Sequence, residues 1–471
     1  MQFYAKLSVV VLSALAIRWS IAKHGYSGYN KPPMYGDFEA QRHWMEITVN
    51  LPPNQWYENS TDNDLLYWGL DYPPLTAYHS YLCGLVARWI NPDWVALKDS
   101  RGIQNEQHKL FMRYSVIIAD ILVYVPACIL CFLIHHSYSD NNKLKGIAVL
   151  LLQPGLALID HGHFQYNSIS LGLTLLATWA LGQHLDLLGA FFFCLALNYK
   201  QMELYHAMPF FCYLLGSCFQ KGISQGIMKL MMLGMMVIIT FGLCWVPFLE
   251  NLESARSVLV RLFPFGRGLY EDKVANFWCS LSVVLKLKEL LTRDNTVLLC
   301  LASTLVMLLP SSLHLLRYPG VQRFKVALIN AALVFFLFSF QVHEKSILIA
   351  VIPACLLVVE HPLVVTWFIT ISTFSMLPLL VKDGLLIPSV AATFICYEVI
   401  RVTLHPLHNK ATWIRLLHTL SILGAIVLTV VSQVLTPPEK LPDLFTLMIT
   451  TYSFVHYAAF FVYFHYLQFT L

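Results

Sequence analysis

The sequence predicts an all-α membrane protein that crosses the bilayer many times, and three observations lead to this fold class. The 471 residues are 57% hydrophobic and only 12% charged, which is about half the charged fraction of an average soluble domain. The mean hydropathy is +0.60. Apolar segments recur from one end of the chain to the other, and a lipid bilayer is the solvent that accommodates them. The formal net charge of +4 argues against a nucleic-acid partner.

About 14 segments are apolar enough to form transmembrane helices. They cover residues 4–22, 112–134, 144–160, 167–183, 185–199, 206–219, 227–249, 294–316, 325–342, 346–360, 362–380, 384–404, 414–435 and 443–468. The first segment could also be a signal peptide, because Ser20 and Ala22 resemble a cleavage site. Arg18 interrupts that segment late and many spans follow, so we interpret it as an uncleaved helix. The whole chain, residues 1–471, is then one membrane domain.

Basic residues in the short connections predict which side of the membrane is cytosolic. They are Lys143, Lys145, Lys221, Lys229, Arg317, Arg323, Lys325, Arg401, Lys410 and Arg415. Both termini fall on this cytosolic side. The opposite side receives two long loops, 23–111 and 250–293, and several short turns. This arrangement requires residues 278–291 to form a surface or re-entrant helix rather than a span.

A glycosylation sequon supports this orientation. Asn59, Ser60 and Thr61 form the acceptor sequence for N-linked glycans inside the first long loop. Such glycans are added on the luminal side, so the sequon agrees with the distribution of basic residues. We expect the first loop to be luminal and Asn59 to be a glycosylation site.

The first long loop also concentrates acids and bases. Asp37, Glu39 and Arg42 lie within residues 36–44, where Glu39 and Arg42 share a helix face and could equally form an ordinary ion pair. Asp71 precedes Tyr72 and two prolines, which restrict the backbone. A fixed backbone suits an acid that must be aimed, although the prolines could simply begin the next helix.

Polar groups recur in the other turns predicted on the luminal side. They are Asp160, His161, His163, Lys200, Glu203, Arg267, Glu271, His343, Glu344 and Lys345. Ionisable groups beside a membrane are costly, and they are therefore candidates for function. His161 and His163 with one Asp are a weak signal for a metal, and we expect none.

These groups on one face of the membrane suit a substrate with a lipid anchor and a polar head. If the donor is a lipid-phosphate sugar, a carboxylate must deprotonate the attacking hydroxyl and cations must stabilise the departing phosphate. A transporter or lipid flippase is the alternative from another class. A transporter would show paired repeats and broken helices near the midplane, and no repeat is visible.

Five motifs extend this interpretation to a family. They read GDFEAQRHW at 36–44, QWY at 55–57, WGLDYPPLTAYHS at 68–80, YEDKVANFW at 270–278 and QVHEKS at 341–346. Together they resemble the dolichyl-phosphate-glucose glucosyltransferases of the endoplasmic reticulum, glycosyltransferase family 57. The likeness extends from residue 23 to the C-terminus. Around the shared Leu-Asp-Tyr-Pro-Pro core, the sequence is more similar to the enzymes that add the first glucose than to their sister enzymes that add the second.

The resemblance implies a GT-C fold, with catalysis in a luminal cavity of the endoplasmic reticulum membrane. It implies inverting transfer of glucose from dolichyl-phosphate-glucose to a mannose 3-hydroxyl of the dolichyl-pyrophosphate-linked oligomannose, without a further cofactor or a metal. Asp71 resembles the general base. The other residues expected to bind substrate are Arg267 and His343 on the phosphate side, Asp37 and Glu39 on the acceptor side, and Arg42, Glu271, Glu344 and Lys345.

Overall fold

The computed structural model describes residues 2–135, 137–263, 273–285, 287–408 and 410–471, and the regular secondary structure in these ranges is entirely helical. The α-helices are α1 Gln2–Ala22, α2 Asp37–Asn50, α3 Pro74–Ile90, α4 Glu106–Ala119, α5 Val125–Leu133, α6 Asp140–Leu152, α7 Pro154–Leu158, α8 Asn167–Gly182, α9 Asp186–Tyr199, α10 Ala207–Cys218, α11 Ile223–Trp245, α12 Leu252–Leu262, α13 Phe277–Val284, α14 Leu287–Leu290, α15 Arg293–Arg317, α16 Val321–Phe338, α17 Leu348–Cys355, α18 Pro362–Ser375, α19 Leu377–Lys382, α20 Leu386–Leu404, α21 Thr412–Val434 and α22 Leu444–Thr470. The predicted all-α class is confirmed.

Nine helices of the described chain are long and apolar enough to cross a membrane. Each coincides with one of the predicted spans, beginning with α1 and ending with α22. Two of the nine spans each combine two α-helices with a π-helical segment, over Glu106–Leu133 and Asp140–Phe164, and the second is interrupted at Gln153. The chain is therefore a membrane protein with many spans.

The other five predicted spans also form helices, but shorter ones. They are α8, α9, α10, α17 and α18, and the longest of them has 16 residues. At 1.5 Å per residue such a helix reaches about 24 Å, less than the roughly 30 Å of a hydrocarbon core. Nearly all of α8 is buried in protein, where irregular backbone at membrane depth is tolerated. Hydropathy found these helices but overestimated their length.

The first long loop contains structure that the hydropathy pattern did not reveal. Within it, α2 and α3 pack against each other. Proline starts α3, because Pro74 occupies the first helical position, where a missing N–H costs nothing. In the second long loop, α13 and α14 have only eight and four residues, so they are too short to cross the membrane, as the topology required.

A buried ion pair links the first three long helices. Arg18 of α1 lies 2.7 Å from Asp120, and the His161 ring nitrogen Nε2 lies 2.8 Å from the same carboxylate oxygen. Asp120 and His161 both occupy π-helical segments, Asp120–Tyr124 and Ile159–Phe164. A π-turn re-aims the side chains of a helix locally. Here the two turns bring the histidine of one segment to the acid of the other, which also binds Arg18.

The connecting turns gather at two opposite ends of the fold. At one end, Asp37, His163, Lys345 and Asp383 contact one another. We call this the cavity end. At the other end of α16, Lys325 contacts His135, within the set of turns predicted to be cytosolic. Lys325 and Lys345, which the sequence assigned to opposite sides of the membrane, thus lie towards opposite ends of α16.

Candidate active site

An open cavity with about 440 Å³ of empty space lies at the cavity end. Its lining residues are Tyr72, Asn167, Ser170, Leu171, Lys200, Met202, Glu203, His343, Lys345, Ser346, Leu348 and Ile349. They come from the Asp71 region, from α8, from the 3-10 turn after α9, and from the turn that follows α16. The lining combines two lysines, a histidine and a glutamate with the apolar side chains of Leu171, Met202, Leu348 and Ile349. Such a cavity suits a polar head attached to a lipid chain.

One carboxylate oxygen, Asp37 Oδ2, organises the turns around the cavity. Lys345 Nζ lies 2.6 Å away, His163 Nε2 lies 3.0 Å away, and Gln165 Nε2 donates to it at 2.5 Å. These groups join the start of α2 to the turn before α8 and to the turn after α16. Asp37 therefore holds three distant parts of the chain at one point.

His163 connects Asp37 to a second carboxylate, that of Asp383. Its other ring nitrogen, Nδ1, lies 2.5 Å from Asp383 Oδ2. With a carboxylate at each ring nitrogen, the imidazole is placed to donate two hydrogen bonds. Burial raises the pKa of Asp37, but Lys345 and His163 outweigh burial and hold the pKa of that carboxyl well below its usual range. Asp37 is therefore ionised at any physiological pH.

Lys200 is a buried cation of a different kind. Its ammonium group donates hydrogen bonds to Asn167 and, at 3.4 Å, to Gln165 Oε1, and it lies 4.8 Å from the centre of the Tyr72 ring. Within the part of the chain that the structure describes, its hydrogen-bond acceptors are neutral amide oxygens. Burial, with help from the positive charge of Lys345, lowers the pKa of Lys200 to about 8. The cavity thus holds a charged group with room for an anion beside it.

The segment that carries Asp71, residues 68–72, is held through its backbone, and we call it the Asp71 loop. Each of its five consecutive carbonyl oxygens accepts a hydrogen bond from a side chain. The donors are Trp44 to the oxygen of residue 68 at 2.9 Å, Arg261 to those of residues 69 and 70 at 2.6 and 3.1 Å, Gln201 to that of residue 71 at 2.9 Å, and Tyr57 to that of residue 72 at 2.7 Å. The backbone on both sides of Asp71 is therefore held by elements from four parts of the chain.

Glu39 and Arg42 lie in a buried ionic cluster behind this loop. Arg42 binds Glu39 with two nitrogens, at 2.9 and 2.6 Å, and its Nη2 lies 2.7 Å from Glu46. Burial raises the pKa of Glu46, but His43 and Arg42 outweigh burial and lower it to about 2. Tyr67 donates to Glu39 at 2.8 Å. These contacts connect α2 to the stretch before Asp71. Glu39 and Arg42 thus support the loop from inside the protein and do not line the cavity.

Known proteins show similarity along the whole chain. The ALG6, ALG8 glycosyltransferase family matches residues 14–463. The dolichyl pyrophosphate Man9GlcNAc2 alpha-1,3-glucosyltransferase of Gallus gallus is 49% identical over 490 residues, covering 99% of this chain and 97% of that protein. The Rattus norvegicus protein of the same name is also 49% identical, with the same coverage. A probable enzyme of that name from Dictyostelium discoideum is 46% identical, covering 97% of this chain and 94% of its own length.

The chain belongs to the ALG6, ALG8 glycosyltransferase family. It is a membrane-embedded glycosyltransferase, as the motifs indicated. The transporter interpretation is thereby set aside.

The structure of this family member brings several of the predicted site residues together. His343 and Lys345 line the cavity, Asp37 binds Lys345, and Asp71 is the neighbour of the lining residue Tyr72. Glu344 is buried beside them. Their roles in binding and catalysis stay predictions at this point.

Other predicted residues lie elsewhere. Arg267 and Glu271 fall outside the described residues. Glu39 and Arg42 make the internal contacts given above, so their predicted part in binding substrate has no support from the geometry. Asn59 is exposed on the first loop, with its side-chain oxygen accepting from the backbone N–H of Leu65 at 3.2 Å.

Sequence reasoning left out two groups of this glycosyltransferase that the geometry emphasises. The sequence placed Lys200 among the polar turn residues without giving it a role, and it gave no reason to single out Arg261. The two histidines considered as a metal pair diverge, because His161 contacts Asp120 and His163 contacts Asp37 and Asp383. Within the described ranges, no three His, Cys, Asp or Glu side chains are grouped to hold a metal ion.

Replacing Asp37 by Asn should destabilise the cavity end. Asp37→Asn keeps the size of the side chain, but it leaves Lys345 without its counter-ion and removes one of the two carboxylates at the His163 ring. Hydrogen bonds to charged groups contribute about 1.5–3 kcal/mol, and we expect a loss of that size in unfolding by SDS from mild detergent. Asp62→Asn, which breaks the half-exposed pair with Lys98, should cost about 0–1 kcal/mol.

The stability difference between wild type and Asp37→Asn should also depend on pH in a defined way. Because the pKa of Asp37 is depressed, its contribution is fully present above the ordinary pKa of 3.8 and disappears as pH falls through the lower folded value. The stability difference between wild type and Asp37→Asn should therefore not diminish as pH falls from neutral to about 4, because protonation of His163 beside Asp37 strengthens the pair. A difference that vanished well above the ordinary pKa would contradict the ion pair.

Proposed function

We propose that this chain transfers glucose from dolichyl-phosphate-glucose to the Man9GlcNAc2 oligosaccharide on dolichyl pyrophosphate, forming the first α-1,3 glucose linkage of the N-glycan precursor. The acceptor and linkage are those in the names of the relatives. The observation that carries the proposal is the cavity itself, in which two lysines converge beside the Asp71 loop. The apolar side chains of the lining match the lipid part of such a donor.

The chemistry needs one base and one anion site. Asp71 takes the proton of the mannose 3-hydroxyl as its oxygen attacks C1 of the β-linked glucose. The C1–O bond to phosphate breaks, its electron pair stays on the phosphate oxygen, and the new linkage has the opposite, α configuration. Because a phosphate leaves readily, the protein has to supply positive charge rather than a strong general acid.

Lys200 and Lys345 are the cations that the cavity offers to that phosphate. Lys345 is already paired with Asp37, which fixes its position. Among the described residues the hydrogen-bond acceptors of Lys200 are neutral amide oxygens, and the carboxylates of Asp160, Asp37 and Glu203 act on it without such a bond. An incoming phosphate would give its ammonium group a directly bonded counter-ion. His343, predicted from the sequence for the same task, lines the same cavity.

The proposed setting is the endoplasmic reticulum membrane, with the cavity facing the lumen and both termini in the cytosol. The distribution of basic residues supports this orientation. So does the exposed Asn59 sequon in the first loop, at the cavity end of the chain. A luminal cavity would also give access to an acceptor whose sugars extend from the lipid into water.

Replacing Asp71 by Asn should abolish transfer. The purified protein would be mixed in detergent with dolichyl-phosphate-glucose and lipid-linked Man9GlcNAc2, and the product detected by mass. We expect wild type to add one hexose. Asp71→Asn should reduce kcat by at least about 100-fold, the usual contribution of a general base, while thermal unfolding stays unchanged.

Three other outcomes would each correct a different part of the proposal. Transfer by wild type only to an acceptor that already carries one glucose would assign the second-glucose reaction. Transfer to neither acceptor would overturn the reaction. Full activity of the folded Asp71→Asn protein would show that another group takes the proton.

The protonation of Lys200 should affect how kcat/KM for the donor depends on pH. With a pKa of about 8, Lys200 loses its proton above that pH, so kcat/KM for dolichyl-phosphate-glucose should fall as pH rises through it. Lys200→Arg keeps the charge at alkaline pH and should remove this decline. Lys98→Arg, an exposed control in the first loop, should keep it. An unchanged decline in Lys200→Arg would assign the titration to another group.

The luminal orientation can be checked through Asn59. Expression in a eukaryotic cell should give a glycosylated chain whose mobility increases after treatment with an N-glycan endoglycosidase. Asn59→Gln should remove this shift. Asn54→Gln changes an exposed residue of the same loop that is not part of a sequon, and this variant should retain the shift. Absence of the glycan from wild type, or its persistence in Asn59→Gln, would contradict the predicted site.

A further inference from the structure

The side chain of Arg261 forms hydrogen bonds with the backbone of the Asp71 loop that no sequence motif predicts. From α12, in the second long loop, its Nη2 donates to the carbonyl of Gly69 at 2.6 Å and its Nε to the carbonyl of Leu70 at 3.1 Å. The two acceptors are consecutive in the chain and directly precede Asp71. The planar guanidinium therefore spans a two-residue stretch of backbone next to the predicted base.

Close packing leaves little freedom at this contact. A Cβ atom added to Gly69 would lie 3.0 Å from Arg261 Nη2 and 2.7 Å from a methyl carbon of Leu65. The loop backbone thus lies against the guanidinium, with no space for a side chain between them. Glycine at residue 69 permits that approach.

Apolar contacts anchor both partners. Val258 and Leu262, on the same helix as Arg261, share a buried cluster with Leu70. Leu70 is fully buried, so its carbonyl cannot turn to water without disturbing the cluster. A hydrogen bond to such an oxygen from a charged donor contributes more than a neutral one. The cluster and the arginine fix the same stretch of backbone from two directions.

We propose that Arg261 is a positioning residue for the transfer reaction, which holds Asp71 in its working direction through the carbonyls of Gly69 and Leu70. This rests on the proposed function of Asp71 as the base. Arg261 does not touch the reacting atoms in this role. It acts by making the geometry of the Asp71 loop depend on α12 in the second long loop.

Lysine cannot perform this task, although it keeps the charge. The lysine ammonium is a single point at the end of a flexible chain, whereas the guanidinium offers several donors in a rigid plane. Arg261→Lys should therefore release at least one carbonyl and allow the loop to shift. Misplacement of a reacting group by about 1 Å can reduce the rate about 100-fold.

The test compares Arg261→Lys, Arg261→Met and a matched control, Arg256→Gln. Arg256 lies on the same helix but is exposed, so its replacement removes a charge without touching the loop. In the transfer assay, Arg261→Lys and Arg261→Met should lower kcat about 10- to 100-fold, with little change in KM for either substrate. Arg256→Gln should match wild type.

A second measurement does not depend on activity. Hydrogen exchange of peptides covering residues 65–73 should be faster in Arg261→Lys than in wild type or Arg256→Gln, because the loop has lost a restraint. Peptides from α8 and α9 should exchange as in wild type, showing that the fold is intact. If wild type failed to transfer glucose, this measurement would still test the restraint separately from the reaction.

Several results would overturn the proposal. A higher KM with unchanged kcat in Arg261→Lys would make Arg261 a substrate-binding residue. Wild-type kcat in that variant would show that the two carbonyl contacts do not position Asp71. Faster exchange throughout the protein would show that Arg261 has a general structural role instead. Arg261→Lys is the milder of the two substitutions, so the test can still be made if Arg261→Met does not fold.

Discussion

The hydrogen-bonded ion pairs of Asp37 are the constraint on which the cavity depends. A single carboxylate oxygen brings together the start of α2, the turn before α8 and the turn after α16. Helices of a membrane protein gain little from hydrophobic association once they are in lipid, so polar contacts at their ends have more influence on their arrangement. Without the carboxylate, Lys345 and His163 would repel each other at the position where the cavity needs them.

The glycosyltransferase cavity has a second support in the backbone of the Asp71 loop. Side chains from α2, from the turn that follows it, from the turn after α9 and from α12 all donate to consecutive carbonyls. The two supports meet near Tyr72, whose ring faces Lys200. Separate sets of bonds therefore hold the proposed base and the proposed anion site, and such positioning is what aligning an acceptor hydroxyl with a leaving phosphate would require.

Much of this organisation was accessible from the sequence, and the reasons for the remainder are physical. Every span predicted from hydropathy coincides with a helix of the structure. Hydropathy also detects helices such as α8, which are apolar but too short to cross the bilayer alone. Spacing placed Glu39 beside Arg42, but it could not show that protein rather than water surrounds them. Lys200 was not identified as a cavity cation because its environment is built by residues distant in the chain. The restraint from Arg261 acts on backbone oxygens, which a motif of side chains does not describe.

Lys200 and Lys345 also have a consequence for the end of the proposed reaction. The donor is a phosphate diester with one negative charge, whereas the released dolichyl phosphate is a monoester whose second pKa of about 6 gives it nearly two. The same lysines would then hold the product more strongly than the substrate. Turnover would depend on how fast the spent lipid leaves, so the rate of the cycle would respond to the amount of dolichyl phosphate in the membrane.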